Sequence, residues 1–269
     1  MRTLLADRRV RFVGPVSGEV ASGDSGLGRM AEPEQIVSQV SAIFAGVSLC
    51  GKHIVISAGP TAEDLDPVRF VGNRSSGKMG FALAERAAAF GARVTLVAGP
   101  VNLPTPPGVQ RVDVRGALAM RSALWQALAP DLSQADALIM SAAVADYRPA
   151  QSHSTKLKRS ATPLQLELVP NPDLLAEIGH ARQSRKPILI GFALETDTDE
   201  KVIQLARGKL AAKHLDLVVA NHAAESLGRD DIRVLLVTAT DCEPLPQQTK
   251  EQAADKILAW LAARFREKV

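Results

Sequence analysis

Apolar residues in this chain alternate between short continuous runs and longer stretches with helical spacing. The short runs predict strands, because parallel strands buried on both faces read as continuous apolar segments. Residues 94–97 and 215–219 are the near-continuous runs. In all, strands are predicted over residues 53–57, 93–98, 109–113, 136–141, 164–169, 188–193, 215–220 and 232–238. The longer stretches predict helices near residues 78–90, 116–129, 172–182, 199–212 and 248–266.

This alternation predicts an α/β fold class, with a Rossmann-like doubly wound, mostly parallel sheet and helices on both faces. Two segments depart from it. Residues 149–163 are polar and lack an apolar period, which predicts a mobile basic loop of the kind that often covers a functional site. Residues 1–46 are rich in Gly, Ser and Pro and contain one predicted helix, about 33–44, which is too little to build a core.

Composition and charge limit the kinds of partner and the cellular compartment that are expected for this chain. The chain has 269 residues, 46% of them apolar, a formal net charge of +3 and only 4% aromatic residues. It therefore gives no electrostatic case for a nucleic-acid partner. Cys50 and Cys242 form no metal or disulfide pattern, which suits a reducing compartment. No signal peptide and no run that spans a membrane is expected, so we predict a cytoplasmic protein.

The segment GPTAEDLDPVRFVGNRSSGKMG, residues 59–80, carries the strongest chemical signal. It lies between a predicted strand and a predicted helix, where backbone N–H groups and the helix dipole favour an anion. Ser75 supplies a hydroxyl, Lys78 a positive charge, and Arg69 and Asn73 a guanidinium and an amide. The alternative is a βα turn with capping serines, since short motifs also match by chance.

Two further motifs follow predicted strands, at the sheet edge where α/β proteins bind ligands. In SAAVADYRP, residues 141–149, Asp146 either caps a turn or holds a cation or a ribose hydroxyl. In GFALET, residues 191–196, Phe192 either packs in the core or stacks on a base.

Three other motifs have an ordinary explanation beside a functional one. The lysines of KLKR, residues 156–159, are a solvated face unless the loop covers a phosphate site. NPDLL, residues 171–175, is explained by a helix start alone. Lys209 and Lys213 lie on one helical face and serve a function only near a polyanion or a base.

Taken together, the motifs identify a family. GPTxExxDPVRF, NRSSGKMG, AAVADYRP, the KLK loop, NPDL, GFALET and KLxxKxLDLVVAN occur here in one order. Over residues 47–269 the chain resembles the phosphopantothenoylcysteine synthetase domain of the bacterial bifunctional coenzyme A biosynthesis protein. The resemblance implies a CTP-dependent ligation of 4′-phosphopantothenate and cysteine through an acyl-cytidylate, which releases pyrophosphate and then CMP.

The resemblance also implies roles for residues. Lys156 would neutralise charge on the α-phosphate, Asn73 would hold the intermediate's carbonyl, and Arg69 would support that step or bind the substrate. Asp146 would reach the triphosphate through Mg²⁺ or Mn²⁺. The other nucleotide-binding positions would be Ser75, Met140, Ser141, Ala142, Asn171, Pro172, Asp173, Leu174, Phe192, Lys209 and Lys213, with Lys156 contributing to both roles.

The first segment, residues 1–46, resembles the C-terminal end of the partner domain, the flavin-dependent phosphopantothenoylcysteine decarboxylase. Only the end of that domain matches, so FMN binding is not expected. Ser22 stands where that family usually has a cysteine that acts as an acid, so decarboxylase activity is not expected either. Gly72 replaces a frequent serine, with little effect expected. The resemblance further implies a homodimer and leaves open a separate decarboxylase flavoprotein partner.

Two alternatives to the ligase remain at this point. A nicotinamide-dependent reductase would need G-x-G-x-x-G after the first strand and an acidic residue at the end of the second, and neither is present. A non-catalytic oligomerisation module would not need Asn73 and Lys156, which are both retained.

Overall fold

A computed structural model describes residues 12–19, 25–33, 36–37, 40, 47–129, 131–159, 163–222 and 229–267. The chain forms two units, Met1–Ser48 and Leu49–Val269. In the first unit, β1 (Val16–Glu19) and β2 (Ser25–Arg29) pair as an antiparallel hairpin. Pro33, Ile36, Val37 and Val40 are helical there, as predicted, and the rest of the predicted helix and Ser22 lie outside the described residues.

The second unit alternates strands with helices. Its strands are β3 (His53–Ala58), β4 (Ala62–Asp64), β5 (Phe70–Gly72), β6 (Arg93–Ala98), β7 (Val109–Asp113), β8 (Ala137–Met140), β9 (Tyr147–Pro149), β10 (Leu168–Pro170), β11 (Ile188–Glu195), β12 (Leu217–His222), β13 (Asp231–Val237) and β14 (Cys242–Thr249). Its described helices are α1 (Lys78–Ala89), α2 (Ala117–Leu128), α3 (Leu174–Ala181), α4 (Asp199–Ala212) and α5 (Lys250–Arg266).

Eight strands form the central sheet in the order β14-β13-β12-β11-β8-β3-β6-β7. The five pairings from β7 to β12 are parallel, and β13 and β14 add to the edge in antiparallel fashion. The predicted mostly parallel, Rossmann-like sheet is therefore confirmed. From β3 the chain first builds outward through β6 and β7 and then returns to β8 on the other side. The strand order thus reverses between β3 and β8.

Helices cover both faces of this sheet. On one face, α2 and α3 bury Met120, Leu124 and Ile178 against Val55 and Leu189. Further along that face, α4 packs against alternate residues of β11, β12 and β13. On the other face α1 lies over β3 and packs against α5. None of the helices in the described ranges is long and apolar enough to cross a bilayer.

Local capping explains where two helices begin. The Asp173 carboxylate accepts a hydrogen bond from the N–H of Ala176 at 3.0 Å and so caps α3. At α5, Thr249 and Gln252 form a reciprocal capping box. Each bond satisfies backbone groups that the first helical turn leaves without a partner.

Some predicted elements are wrong. Of the predicted strand 164–169, only residues 168 and 169 lie in a strand, β10, which pairs with β9 outside the central sheet. The exposed leucines 164, 166 and 168 mimic the alternation of a half-buried strand. Strand β14 was not predicted, because the prolines at 244 and 246 argue against a central strand; β14 lies at the sheet edge, where proline is tolerated.

Candidate active site

The site begins where β3 and β8 end. The loop after β8 runs beside the loop after β3, and hydrogen bonds along both segments hold the two together. The Ser141 hydroxyl donates to the Ser57 carbonyl at 2.7 Å, the Ala143 N–H to the Gly59 carbonyl at 2.9 Å, and the Ala145 N–H to the Thr61 hydroxyl at 2.9 Å. Ligands of open α/β sheets bind at such a reversal of strand order.

A first cavity of about 550 Å³ opens at this edge. It brings together ten of the residues predicted to form the site. They are Asn73, Met140, Ala142, Asp146, Asn171, Pro172, Asp173, Leu174, Phe192 and Lys213. The order of the strands explains part of this, since Met140 ends β8 and Phe192 lies in the neighbouring β11. Lys213 follows α4, and its long side chain reaches Asp173 on the cavity wall.

Side-chain amides fix the rim of the first cavity. Asn73 Nδ2 donates to the Val144 carbonyl at 3.0 Å. Asn171 Nδ2 donates to the Ala145 carbonyl at 2.8 Å, and its Oδ1 accepts from Arg148 at 3.1 Å. Both asparagines therefore hold the loop that carries Asp146, whose side chain is exposed on the cavity wall.

Lys213 and Asp173 form an ion pair on the same wall, with Nζ and Oδ2 2.6 Å apart. Burial raises the pKa of Asp173, but the Lys213 ammonium and the N–H of Ala176 outweigh it and hold the pKa below its usual value. The lysine thus enters the cavity as the partner of a charged carboxylate. Lys209 forms a similar pair with Glu195 at 2.7 Å and lines neither this cavity nor the next.

A second cavity, of about 190 Å³, adjoins the first. The loop 74–80 forms one side, with Ser75 and Lys78, and Ser141 is also part of the wall. Gly77 has φ +75°, a left-handed conformation that favours glycine, and it precedes α1 without a side-chain cap. The first N–H groups of α1 thus face this region, as the predicted anion site requires.

The two cavities share the wall residues Arg74, Ala142, Ala143, Phe192 and Leu194. Small side chains at 142 and 143 separate them. A single elongated ligand can therefore occupy both, with one end at the carboxylates of the first cavity and the other at the cations of the second.

Arg69 and Lys156 lie outside both cavities. The Arg69 guanidinium binds the buried Asp66 carboxylate and donates to the Leu157 carbonyl at 2.9 Å. The Leu157 N–H in turn donates to Asp66 at 3.1 Å. Arg69 and Asp66 therefore hold the basic loop, and Lys156 is exposed beside this anchor.

Sequence reasoning missed Asp66, Asn221 and Lys250. Asp66 precedes Pro67, a turn signal that the motif contained but that did not reveal its buried position. Asn221 and Lys250 line the second cavity from β12 and α5. Nothing in their local sequence places them near residue 78, since the strand order alone brings them there.

The donor groups at the site limit how a metal ion could be held. The part of the chain that the structure describes contains no group of three or more His, Cys, Asp or Glu side chains that could hold a metal ion. Asp146 offers one exposed carboxylate in the first cavity. A Mg²⁺ ion bound here would thus take most of its oxygen ligands from a bound nucleotide and water, as Mg²⁺ commonly does.

Known proteins resemble this chain in sequence. Residues 49–265 match the family model for the DNA/pantothenate metabolism flavoprotein C-terminal domain. The coenzyme A biosynthesis bifunctional protein CoaBC of Vibrio cholerae is 43% identical over 250 residues, which cover 91% of this chain and 61% of that protein. The chain thus spans less than two thirds of this curated relative.

Solved structures share the fold of this chain. The crystal structure of the C-terminal domain of CoaBC is 37% identical, with a TM-score of 0.68 over 81% of this chain and 98% of that one. A Cab2 variant in complex with phosphopantothenate-cysteine has a TM-score of 0.61 over 87% and 92% of the two chains, and at 18% identity it shows the shared fold. The chain belongs to the family of the DNA/pantothenate metabolism flavoprotein C-terminal domain, which confirms the resemblance to the phosphopantothenoylcysteine synthetase domain predicted from its motifs.

Proposed function

We propose that this chain joins 4′-phosphopantothenate to cysteine at the expense of CTP, as a step of coenzyme A biosynthesis in the cytoplasm. The observation that carries the proposal is the pair of adjoining cavities at the C-terminal edge of β3, β8 and β11. The first offers carboxylate, amide and apolar groups together with Lys213, and the second offers Lys78, Lys250 and the start of α1. A nucleoside triphosphate has the matching polarity.

In the first step, a carboxylate oxygen of 4′-phosphopantothenate attacks the α-phosphorus of CTP. The bond from that phosphorus to the α–β bridging oxygen breaks, its electron pair stays on the oxygen, and pyrophosphate leaves. Lys156 is proposed to neutralise the charge that develops on the α-phosphate. The Asp66–Arg69 anchor holds its loop, which gives Arg69 a positioning role.

In the second step, the amine of cysteine attacks the carbonyl carbon of the acyl-cytidylate. The C–O bond to the phosphate breaks, CMP leaves with the electron pair, and the nitrogen loses a proton to form the amide. Asn73 is proposed to orient the carbonyl, since its amide lies on the cavity rim beside Val144.

The nucleotide is assigned to the two cavities by their chemistry. The nucleoside is placed in the first cavity, near Phe192, Lys213 and residues 171–174, and the triphosphate is placed toward Ser75 and the start of α1. Asp146 is proposed to reach Mg²⁺ or Mn²⁺ carried by the triphosphate. Lys209 is proposed to contribute after leaving Glu195, since their contact is only partly buried.

We also propose that the chain works as a homodimer. Val68, Phe70 and Tyr147 are exposed apolar residues near the Asp66 anchor, and such side chains favour burial against a second copy. Sedimentation that gives a monodisperse monomer would contradict the homodimer.

Residues 1–46 are proposed to be the end of a decarboxylase-type domain, with residues 47–269 as the ligase domain.

Thermal unfolding with different nucleotides tests the function. We expect CTP with Mg²⁺ to raise the melting temperature, because a ligand at 100 times its Kd stabilises the folded state by about 2.7 kcal/mol. NADPH at the same concentration should have no effect. Stabilisation by NADPH alone would favour a reductase, and no effect of either would favour a non-catalytic module.

A further inference from the structure

Lys250 is a buried lysine that the roles above leave unexplained. It is the first residue of α5, its exposed fraction is 5%, and it lines the second cavity. Its ammonium donates a hydrogen bond to the Arg229 carbonyl. Lysine is among the residues least often found fully buried unless its charge is paired.

In the described ranges, no carboxylate forms an ion pair with Lys250. The nearby Asp230 pairs instead with Lys78, which lies across the same cavity wall. Burial and the positive charge of Lys78 lower the pKa of Lys250, against the weaker opposing influence of Asp230, Asp231 and Glu251. Two lysines thus line one small cavity, and the ion-pair partner of Lys78, the Asp230 carboxylate, is largely exposed.

Other anion-binding groups converge on this cavity. The α1 N-terminus has no side-chain cap at Gly77, and Ser75 and Ser76 contribute hydroxyls to the wall. Lys250 reaches the cavity from α5, which packs against α1 and lies far from the loop 74–80 along the chain. A bound polyanion would supply the negative charge that the two lysines lack.

We propose that Lys250, with Lys78 beside it, binds the terminal phosphates of the nucleotide, the part that leaves as pyrophosphate. The proposal rests on the function proposed above, which places a triphosphate in this cavity. Lys250 would stabilise both the bound triphosphate and the charge of the departing pyrophosphate. It would therefore distinguish CTP from CMP.

Calorimetric binding of CTP, CMP and inorganic pyrophosphate tests this role. We expect Lys250→Met, which keeps the apolar stem, to weaken CTP and pyrophosphate binding about 10- to 100-fold, as expected for loss of a charge-assisted hydrogen bond. CMP binding should change less than about threefold, because CMP lacks these phosphates. Lys256→Met, an exposed lysine on the same helix, is the matched control and should leave all three affinities unchanged.

A purely structural lysine predicts another pattern. Equal losses for CTP and CMP, or no loss for pyrophosphate, would overturn the proposal. Lys250→Arg keeps the charge and should retain most pyrophosphate binding. If the neutral variant does not fold, the Nζ resonance of Lys250 in the wild-type protein decides, since added pyrophosphate must shift it and an unchanged resonance overturns the proposal.

The two proposals fail separately. Pyrophosphate binding that depends on Lys250 in a chain without ligase activity would retain the anion site and refute the ligase. Ligase activity of the wild-type chain, together with normal pyrophosphate binding by Lys250→Met, would support the ligase and refute the role of Lys250.

Discussion

The carboxylate of Asp66 accepts a hydrogen bond from the backbone N–H of Leu157 at 3.1 Å, although 91 positions separate the two residues. Asp66 also accepts from the N–H groups of Val68 and Arg69. A buried carboxylate thus ties the turn after β4 to the basic loop. It fixes the residue adjacent to Lys156 to the main fold.

Loss of this anchor should impair catalysis more than nucleotide binding. Asp66→Asn replaces one carboxylate oxygen by an NH₂ group, which accepts no hydrogen bond. An NH₂ group at the Oδ2 position would lose the bonds from both Arg69 and Leu157. We expect pyrophosphate release to slow about 10- to 100-fold, because small misplacements of a catalytic group carry losses of this size. Steady-state assays at saturating CTP measure it.

Asp64→Asn is the control for that variant. Asp64 lies in the same segment but pairs with Arg115, away from the loop. The activity of Asp64→Asn should stay within about twofold of the wild-type activity, since exposed ion pairs contribute little to stability. Equal activity of the two variants would show that the anchor does not position Lys156.

The Asp66 carboxylate should also make stability depend on pH. Hydrogen bonds from the Arg69 guanidinium hold the pKa of Asp66 well below its usual value of 3.8, and the N–H donors add to this against the effect of burial. A lowered pKa stabilises the folded state fully above the unfolded pKa, and the stabilisation is lost as the pH falls toward the folded pKa. The difference in unfolding free energy between wild type and Asp66→Asn should therefore be constant from pH 7 to about 5 and shrink below about pH 4. Urea titrations from pH 3 to 7 measure it, and a difference that grows on acidification contradicts the assignment.

Lys156 and its neighbour Lys158 provide a matched pair on one loop. Both side chains are exposed, and the resemblance assigns catalysis to Lys156 alone. We expect Lys156→Met to slow pyrophosphate release about 100- to 1000-fold, the range seen when one charge-stabilising group is removed. Lys158→Met should retain activity within a few fold. Rapid-quench measurement of acyl-cytidylate separates the first step from later ones, and formation at the wild-type rate in Lys156→Met contradicts the role.

Gly80 allows α1 to approach the site. A Cβ atom built there would lie 2.5 Å from the Ala58 Cβ and 2.6 Å from the Ser141 hydroxyl, both closer than real contacts allow. Gly80→Ala should destabilise the fold by about 1–3 kcal/mol, as overpacking does. Gly208→Ala, within α4, meets nothing within 4 Å and should stabilise by about 0.5–1 kcal/mol. Chemical denaturation compares them, and a neutral Gly80→Ala would show that α1 has room to shift.

The sequence predicts those helices and strands that leave a pattern in neighbouring residues. Apolar periodicity predicts β3, β6, β7, β12 and the five helices closely. Burial on both faces of the sheet leaves a local pattern in β3, β6 and β12. The three-residue strands β4, β5 and β9 leave none. β9 forms by pairing with β10, about twenty residues further along the chain, as Arg148 does with Val169, and β4 and β5 pair only with each other.

The same distinction holds for the site. Motif order suggests that residues 73, 146, 171 and 192 belong together, and the structure brings them into one cavity. The sequence does not show that Arg69 turns toward Asp66 and Leu157, since that depends on a carboxylate that only the folded chain buries. Lys250 is likewise an ordinary first-turn residue until β12, β13 and β14 bring it beside Lys78.

Release of pyrophosphate by the purified protein, with CTP, Mg²⁺ and 4′-phosphopantothenate, in the presence and absence of cysteine, is the measurement to make first. The two-step ligase predicts release that requires the pantothenate substrate, with CMP appearing only once cysteine is added. No release from folded protein, or release that is independent of 4′-phosphopantothenate, would contradict it.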